Sequence, residues 1–281
     1  MEIMLAKKHG FCFGVKRAIR ITEKIASKNA NTLTLGPLIH NPLEIERLER
    51  DFGVRVEEDL EKLGDSKSVV IRTHGITKQN LEKLKQRGLD ITDATCPFVT
   101  KPQKIVENLS KEGYDIVIFG DESHPEVRSV MSYSLKPPIV VASLEALKAL
   151  RRLPKKIAVV SQTTKQVENF MEVVGYLVAH SLEVRVFNTI CNATFENQEA
   201  TRELSMQADV MIVVGGKSSS NTKQLFLIAK RHCEDSYLVE QGGDIRPEWF
   251  EGKKLCGITA GASTPGWVIS GVEERVRALA V

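Results

Sequence analysis

An α/β fold built of three similar modules with mostly parallel sheets, in pseudo-three-fold arrangement, is what this sequence predicts. Three observations lead there. Short β-branched runs alternate with amphipathic stretches along the chain, as at Val69–Ile71, Ile116–Phe119, Ile157–Val160 and Val210–Val214. That alternation is the pattern of βα units around parallel sheets. Three cysteines, Cys12, Cys96 and Cys191, each follow an extended-looking segment and open a helical pattern. A step of 28 residues from each reaches His40, His124 and Ser219, each just past a further apolar run. Self-similarity at a fixed spacing marks a repeated structural unit.

Taken in order, segment 2–6 (EIMLA) reads as a strand ahead of Cys12, and it is expected to close the sheet of the last module. After Cys12, the residues Val15, Ala18, Ile19, Thr22 and Ile25 fall on one helical face. The strand TLTLG then leads to His40 in HNP, where proline signals a helix start. VVIR leads to Thr73-His74, and LDITDA leads to Cys96, after which Ile105, Val106 and Leu109 share a face. IVIFG leads to His124-Pro125, and IAVVS to Thr163-Thr164. EVRVFNTI leads to Cys191, with a weaker following face of Ala200, Leu204 and Ala208. VMIVVG leads to Ser219 in SSSNT, which is good N-cap chemistry, and LCGIT to Ser263-Thr264. The expected modules are 1–95, 96–190 and 191–281. Ligands of open α/β sheets bind beyond the carboxyl ends of the strands, so nine polar loop ends are expected around one central cavity.

A net charge of only +3 across 281 residues is too weak to argue for nucleic acid or an anionic membrane. No apolar run reaches transmembrane length, and the first residues carry no signal-peptide pattern. The expectation is a cytoplasmic protein. Disulfides are rare there, so the five cysteines point to metal, catalysis or burial.

Cys12, Cys96 and Cys191 are too far apart for a finger motif and meet only through the fold. Three thiolates at helix starts suit a central iron–sulfur cluster of the four-iron, four-sulfur type with one iron lacking a protein ligand. Any one cysteine has about even odds of being merely buried, but three in equivalent places do not. Cys233 and Cys256 lack counterparts and read as structural. The other loops carry His40, His74, His124, Thr163, Ser219, Ser220, Asn221 and Ser263. Each alone is more often a helix cap or a packing residue. As a set at helix starts they make an anion site suited to phosphate. Glu126, in the first turn after His124, has no counterpart. It reads either as a partner of the helix dipole or as a proton donor beside the open iron. His9, His180 and His232 receive no role.

The strings GFCFGVKRA (10–18), LGPLIHNP (35–42), RTHGI (72–76), DATCPFV (93–99), HPE (124–126), QTT (162–164), NTICNAT (188–194), SSSNT (218–222) and AGASTP (260–265) span the chain in order. Together they resemble the 4-hydroxy-3-methylbut-2-enyl diphosphate reductases, the LytB or IspH family. The resemblance implies three α/β modules around a 4Fe-4S cluster ligated by Cys12, Cys96 and Cys191. It implies an iron–sulfur oxidoreductase of isoprene biosynthesis, acting in the last step of the non-mevalonate (MEP) pathway. The allylic diphosphate, its hydroxyl on the open iron, is reductively dehydrated to isopentenyl and dimethylallyl diphosphates. His40, His74, His124, Ser219, Ser220, Asn221 and Ser263 are implied to bind the diphosphate. Glu126 is implied as proton donor, and Thr163 as a residue positioning the substrate hydroxyl or its water. A ferredoxin or flavodoxin is the implied electron donor. Two other readings compete on the residues alone. A non-redox iron–sulfur hydro-lyase needs the same thiolates and acid but no reductant. A metal- or phosphate-binding sensor would bind without turnover.

Overall fold

The computed structural model describes residues 1–29, 31–64 and 68–279. The chain begins with β1 (Glu2–Leu5), α1 (Phe13–Ala26), β2 (Thr32–Leu35), α2 (Pro42–Phe52), β3 (Arg55–Glu57), β4 (Ser68–Ile71), α3 (Lys78–Gln86) and β5 (Asp90–Asp93). It continues through α4 (Pro97–Lys111), β6 (Asp115–Phe119), α5 (Pro125–Met131), β7 (Ile139–Val141), α6 (Leu144–Lys148), β8 (Lys156–Ser161), α7 (Val167–His180) and β9 (Glu183–Phe187). It closes with α8 (Asn192–Ser205), β10 (Val210–Val214), α9 (Ser220–His232), β11 (Ser236–Val239), β12 (Leu255–Ala260) and α10 (Gly266–Leu279).

These strands form three parallel four-stranded sheets, in the orders β3-β2-β4-β5, β7-β6-β8-β9 and β11-β10-β12-β1. The fold is therefore three parallel-sheet α/β modules of one topology. In each, the last strand in the order leads straight to a cysteine: β5 to Cys96, β9 to Cys191 and β1 to Cys12. The N-terminal strand serves the third sheet, with Glu2, Ile3, Met4 and Leu5 registered against Leu255, Cys256, Gly257 and Ile258.

By compactness the chain divides into two units. One comprises Met1–Lys16, Ile39–Arg47 and Asn192–Val281, the other Arg17–Leu38 and Leu48–Cys191. In the first unit, β10 turns Val210, Ile212 and Val214 to one cluster and Met211 and Val213 to another. In the second, β6 and β8 behave alike: Val117, Phe119, Ile157 and Val159 face one cluster, and Ile116, Ile118, Ala158 and Val160 the other. Central strands covered on both faces must read as unbroken apolar runs, which is why these were conspicuous in the sequence. Each of the larger side chains among them, Ala158 excepted, contributes roughly 1.5–3 kcal/mol by leaving water.

The repeat is strictest at a position the cysteine-to-loop spacing did not single out. Gly36, Gly120 and Gly215 each lie 24 residues after a cysteine. Each donates its N–H to the end of the neighbouring strand, at Glu57 O (2.8 Å), Val141 O (2.9 Å) and Val239 O (2.8 Å). Beyond these glycines the modules differ. His124 and Ser219 are the N-caps of α5 and α9. In the first module the capping side chain is Asn41, whose Oδ1 accepts from Glu44 N at 3.1 Å. His40 stands one residue earlier, because that loop carries one residue more. The weak face after Cys191 also has a cause. Helix α8 buries Thr194, Asn197, Gln198, Thr201 and Ser205 beside Ala200 and Leu204, and it ends before Ala208.

Candidate active site

All three cysteines stand at helix starts, and their backbones are tied in one way. Cys12 N–H donates to Ala262 O at 3.1 Å, Cys96 N–H to Thr73 O at 3.0 Å, and Cys191 N–H to Thr163 O at 3.0 Å. The equivalent residues of the third loop are therefore 73, 163 and 262. The pair matching Thr73-His74 and Thr163-Thr164 is Ala262-Ser263, so Ser263 does align with His74 and Thr164, as their offsets from the cysteines predict, while the dipeptide Ser263-Thr264 is one residue late. None of the five cysteines is in a disulfide, and these three are partly accessible. Cys233 and Cys256, by contrast, are 5% and 0% exposed. Burial pushes the Cys256 thiol up to about 12 and raises Cys233 as well, which keeps both as inert thiols. By accessibility Cys12, Cys96 and Cys191 can each serve as a thiolate ligand, and the two buried cysteines cannot.

In the second unit, Glu126 sits in the first turn of α5 and is 2% exposed. Both of its oxygens are engaged by one residue. Thr163 N–H donates to Oε1 at 2.7 Å, and Thr163 Oγ1 lies 2.6 Å from Oε2. A backbone N–H can only donate, so Oε1 is an acceptor and any acidic proton belongs on Oε2, facing the threonine hydroxyl. Burial raises the Glu126 carboxyl above its ordinary value, while the two Thr163 hydrogen bonds pull the other way. Thr163 also holds Cys191 through its carbonyl. One residue therefore links the acid to the cysteine turn.

His124 caps α5 by accepting Glu126 N–H on Nδ1 at 3.2 Å. Its neutral ring must then carry its proton on Nε2. His124 thus combines the two sequence readings, a helix cap through Nδ1 and a member of the anion set whose Nε2–H is left to donate. His74 meets His124 edge-on, with ring centroids 5.4 Å apart. The His74 turn is fixed from beneath by residues the sequence did not flag. Ser129 Oγ donates to Ile76 O at 2.8 Å, and Gln103 Nε2 donates to Ser129 Oγ at 2.8 Å. Gly75, at φ +70°, lies so close that a Cβ would stand 2.8 Å from Ser129 Oγ. No local pattern announces such contacts; only the glycine hinted at a tight turn.

In the first unit, Ser219 Oγ accepts from Thr222 N at 3.3 Å, and Ser220 and Asn221 form the first turn of α9. Asn221 is 4% exposed, and both its Nδ2 and Oδ1 are buried without a partner among the described residues. A buried carboxamide with neither end satisfied costs roughly 1–3 kcal/mol per group, which points to a ligand that supplies the missing bonds. Ser263 Oγ donates to His40 O at 3.2 Å. Gly216 packs on the same carbonyl, where a Cβ would stand 2.5 Å from His40 O. Gly216→Ala must displace backbone rather than a flexible side chain. It is expected to cost roughly 1–3 kcal/mol, read as a lower midpoint in thermal unfolding. Glu44, unmarked in the sequence and 1% exposed, anchors the start of α2 by pairing with Arg47 at 2.7 Å and accepting from Trp267 Nε1 at 3.3 Å.

Comparison with known proteins gives one consistent result. The profile of the family described as LytB protein matches residues 3–277. The 4-hydroxy-3-methylbut-2-enyl diphosphate reductase of Helicobacter pylori (strain Shi470) is 59% identical over 276 residues, covering 98% of this chain and 99% of that one. The enzyme of the same name from a Nitratiruptor species is 57% identical over the full length of both. Among solved structures, an (E)-4-hydroxy-3-methyl-but-2-enyl diphosphate reductase, described as the terminal enzyme of the non-mevalonate pathway, aligns with a TM-score of 0.70 at 40% identity, covering 99% of this chain and 100% of that one. The Plasmodium falciparum E-1-hydroxy-2-methyl-but-2-enyl-4-diphosphate reductase aligns with a TM-score of 0.89 at 28% identity, covering 99% and 87%. With the match running through every cysteine and loop described above, the chain belongs to the LytB protein family.

Proposed function

We propose that this protein reductively dehydrates 4-hydroxy-3-methylbut-2-enyl diphosphate to isopentenyl and dimethylallyl diphosphates, the last step of the non-mevalonate route. The relatives that match along the whole chain carry this activity in their names. The observation that carries the mechanism is the buried Glu126–Thr163 pair, joined to the Cys191 turn by the Thr163 carbonyl.

In this reading Cys12, Cys96 and Cys191, one from the start of each proposed module (1–95, 96–190, 191–281), hold a four-iron, four-sulfur cluster. When bound there, that group supplies the two electrons and an iron without a protein ligand for the substrate hydroxyl. Everything else falls to the chain's own side chains. Glu126, whose carboxyl burial raises, passes the Oε2 proton to Thr163 Oγ1, whose own proton is handed on to the departing oxygen. The atoms balance as one alcohol, two electrons and two protons giving one alkene product and one water: the proton relayed by Thr163 leaves in the water, and the second ends on an allylic carbon of the product. Ser219, Ser220, Asn221, Ser263, His40, His74 and His124 bind the diphosphate, with the α9 amides and Nε2 of His124 as donors. Fixing that end orients the reacting carbon. The electrons arrive from a ferredoxin or flavodoxin in the cytoplasm. No described helix is long and apolar enough to cross a membrane.

Asn221→Ala tests the diphosphate assignment. A lost hydrogen bond to a charged group is worth roughly 1.5–3 kcal/mol, so KM is expected to rise roughly tenfold to a hundredfold, with a smaller change in kcat. Steady-state kinetics on the reconstituted protein checks it. The activity itself is tested by anaerobic incubation with the allylic diphosphate, with and without dithionite and a viologen mediator. Both five-carbon diphosphates should form only with reductant. Dehydration in its absence would replace this reading with a hydro-lyase.

A further inference from the structure

We propose that the groove beside Cys96, on the second unit, is the docking surface for an acidic one-electron carrier protein. This rests on the reading that Cys96 is a cluster ligand. The groove has a volume of about 540 Å³ and is lined by Arg17, Asp93, Thr95, Lys101 and Lys104, among others. Thr95 and Pro97, on either side of Cys96, both line it, so whatever fills it lies against both sequence neighbours of the ligand.

The charge there is uncompensated. Three cations face one carboxylate, Asp93, which leaves the lining at +2. Asp93 is already occupied, since its Oδ1 accepts from Thr95 N at 2.8 Å. Arg17 reaches the same turn, donating to Thr95 O at 3.1 Å. Lys101 and Lys104 are exposed and form no ion pair among the described residues. The far end of the same helix behaves differently. Lys111 pairs with Glu107 at 3.2 Å, and Glu107 also takes Lys78 at 2.9 Å. The basic field on α4 is thus concentrated at its cysteine end. Phe98, two residues past Cys96, is 40% exposed. On α4 it stands three residues before Lys101, so the two are neighbours on the helix surface just outside the groove lining; an exposed aromatic beside cations suits a transient protein interface, and opposite charge on the partner would steer encounter. Net charge alone would not do this, because the whole chain is only +3. Each reduced carrier would give up one electron and leave oxidised, so two dock in succession for each substrate reduced.

The test uses purified flavodoxin, an acidic carrier, with basic cytochrome c as the charge-opposite control. Binding is measured calorimetrically at low and high salt for the wild type, for Lys101→Glu with Lys104→Glu, and for a charge-matched control, Lys83→Glu with Lys85→Glu on α3. Flavodoxin is expected to bind the wild type in a salt-sensitive way and to bind the groove variant about tenfold or more weakly. The α3 control should bind like the wild type, and cytochrome c should not bind. In turnover, the groove variant should lose about tenfold with reduced flavodoxin and keep its rate with dithionite and viologen. Equal binding by both variants, equal weakening in both, or equal loss with viologen would overturn the proposal. If the wild type itself shows no turnover with viologen, the reductase reading fails, and the binding measurements still decide the docking surface.

Discussion

Cys96→Ser, made in the otherwise intact chain and reconstituted anaerobically, is expected to lose bound iron and sulfide and to reduce the diphosphate no faster than buffer. The same is expected of Cys12→Ser and Cys191→Ser. These side chains are partly accessible at helix starts, and a serine hydroxyl fills nearly the same space there, so the helices should survive in circular dichroism. The informative contrast is Cys256→Ser. Cys256 is 0% exposed in β12, and its replacement buries a hydroxyl where a thiol behaved as a small hydrophobe. That variant should keep its iron and its turnover but lose roughly 1–3 kcal/mol of stability. Full iron content in any of the first three variants would remove that cysteine from the ligand set.

Glu126→Gln should keep the iron and the fold and lose turnover by roughly 10²–10⁴-fold. Glutamine can still accept Thr163 N–H on its carbonyl oxygen, so the geometry persists while the transferable proton is gone. Thr163→Val breaks the same path one step later and should show a comparable loss. The wild-type pH profile carries the same signature. Because burial raises the Glu126 carboxyl, the protonated acid persists above the ordinary carboxylate range of about 4.3. Activity should therefore fall as pH rises through the raised value. The sign for stability follows. A folded-state pKa above the unfolded one gives a contribution that is complete below the unfolded value and is lost as pH rises through the folded one. Glu126→Gln should remove that loss, so its unfolding midpoint should decline less than that of the wild type towards alkaline pH. Matching pH dependences in the two proteins would mean that Glu126 is not the titrating acid.

The sheets were legible in the sequence because β4, β6, β8 and β10 are buried on both faces and so read as apolar runs, while the short edge strands β3 and β7, three residues each, gave no such signal. The place of β1 beside β12 could be argued only from the repeat, since the paired Ile3 and Cys256 stand near opposite ends of the chain and no local pattern spans that distance. Within the site, residue types at helix starts were visible as motifs. What bonds to what was not: Thr163 and Glu126 lie 37 residues apart, and the resemblance implied Thr163 only as a residue positioning the substrate hydroxyl or its water. Asn41 was hidden behind the more conspicuous His40, because capping depends on which residue first turns helical rather than on distance from a cysteine. The polar inner face of α8 could not be anticipated from hydrophobic periodicity, which sees only apolar burial.

The most direct test of the central claim is an electron count. Reduced viologen oxidised and diphosphate consumed are measured together, anaerobically, on the reconstituted wild-type protein. Two viologens oxidised for each substrate converted is the expected result, with isopentenyl and dimethylallyl diphosphates as products. Substrate consumed with no viologen oxidised would contradict the account and make the protein a dehydrating enzyme without redox chemistry.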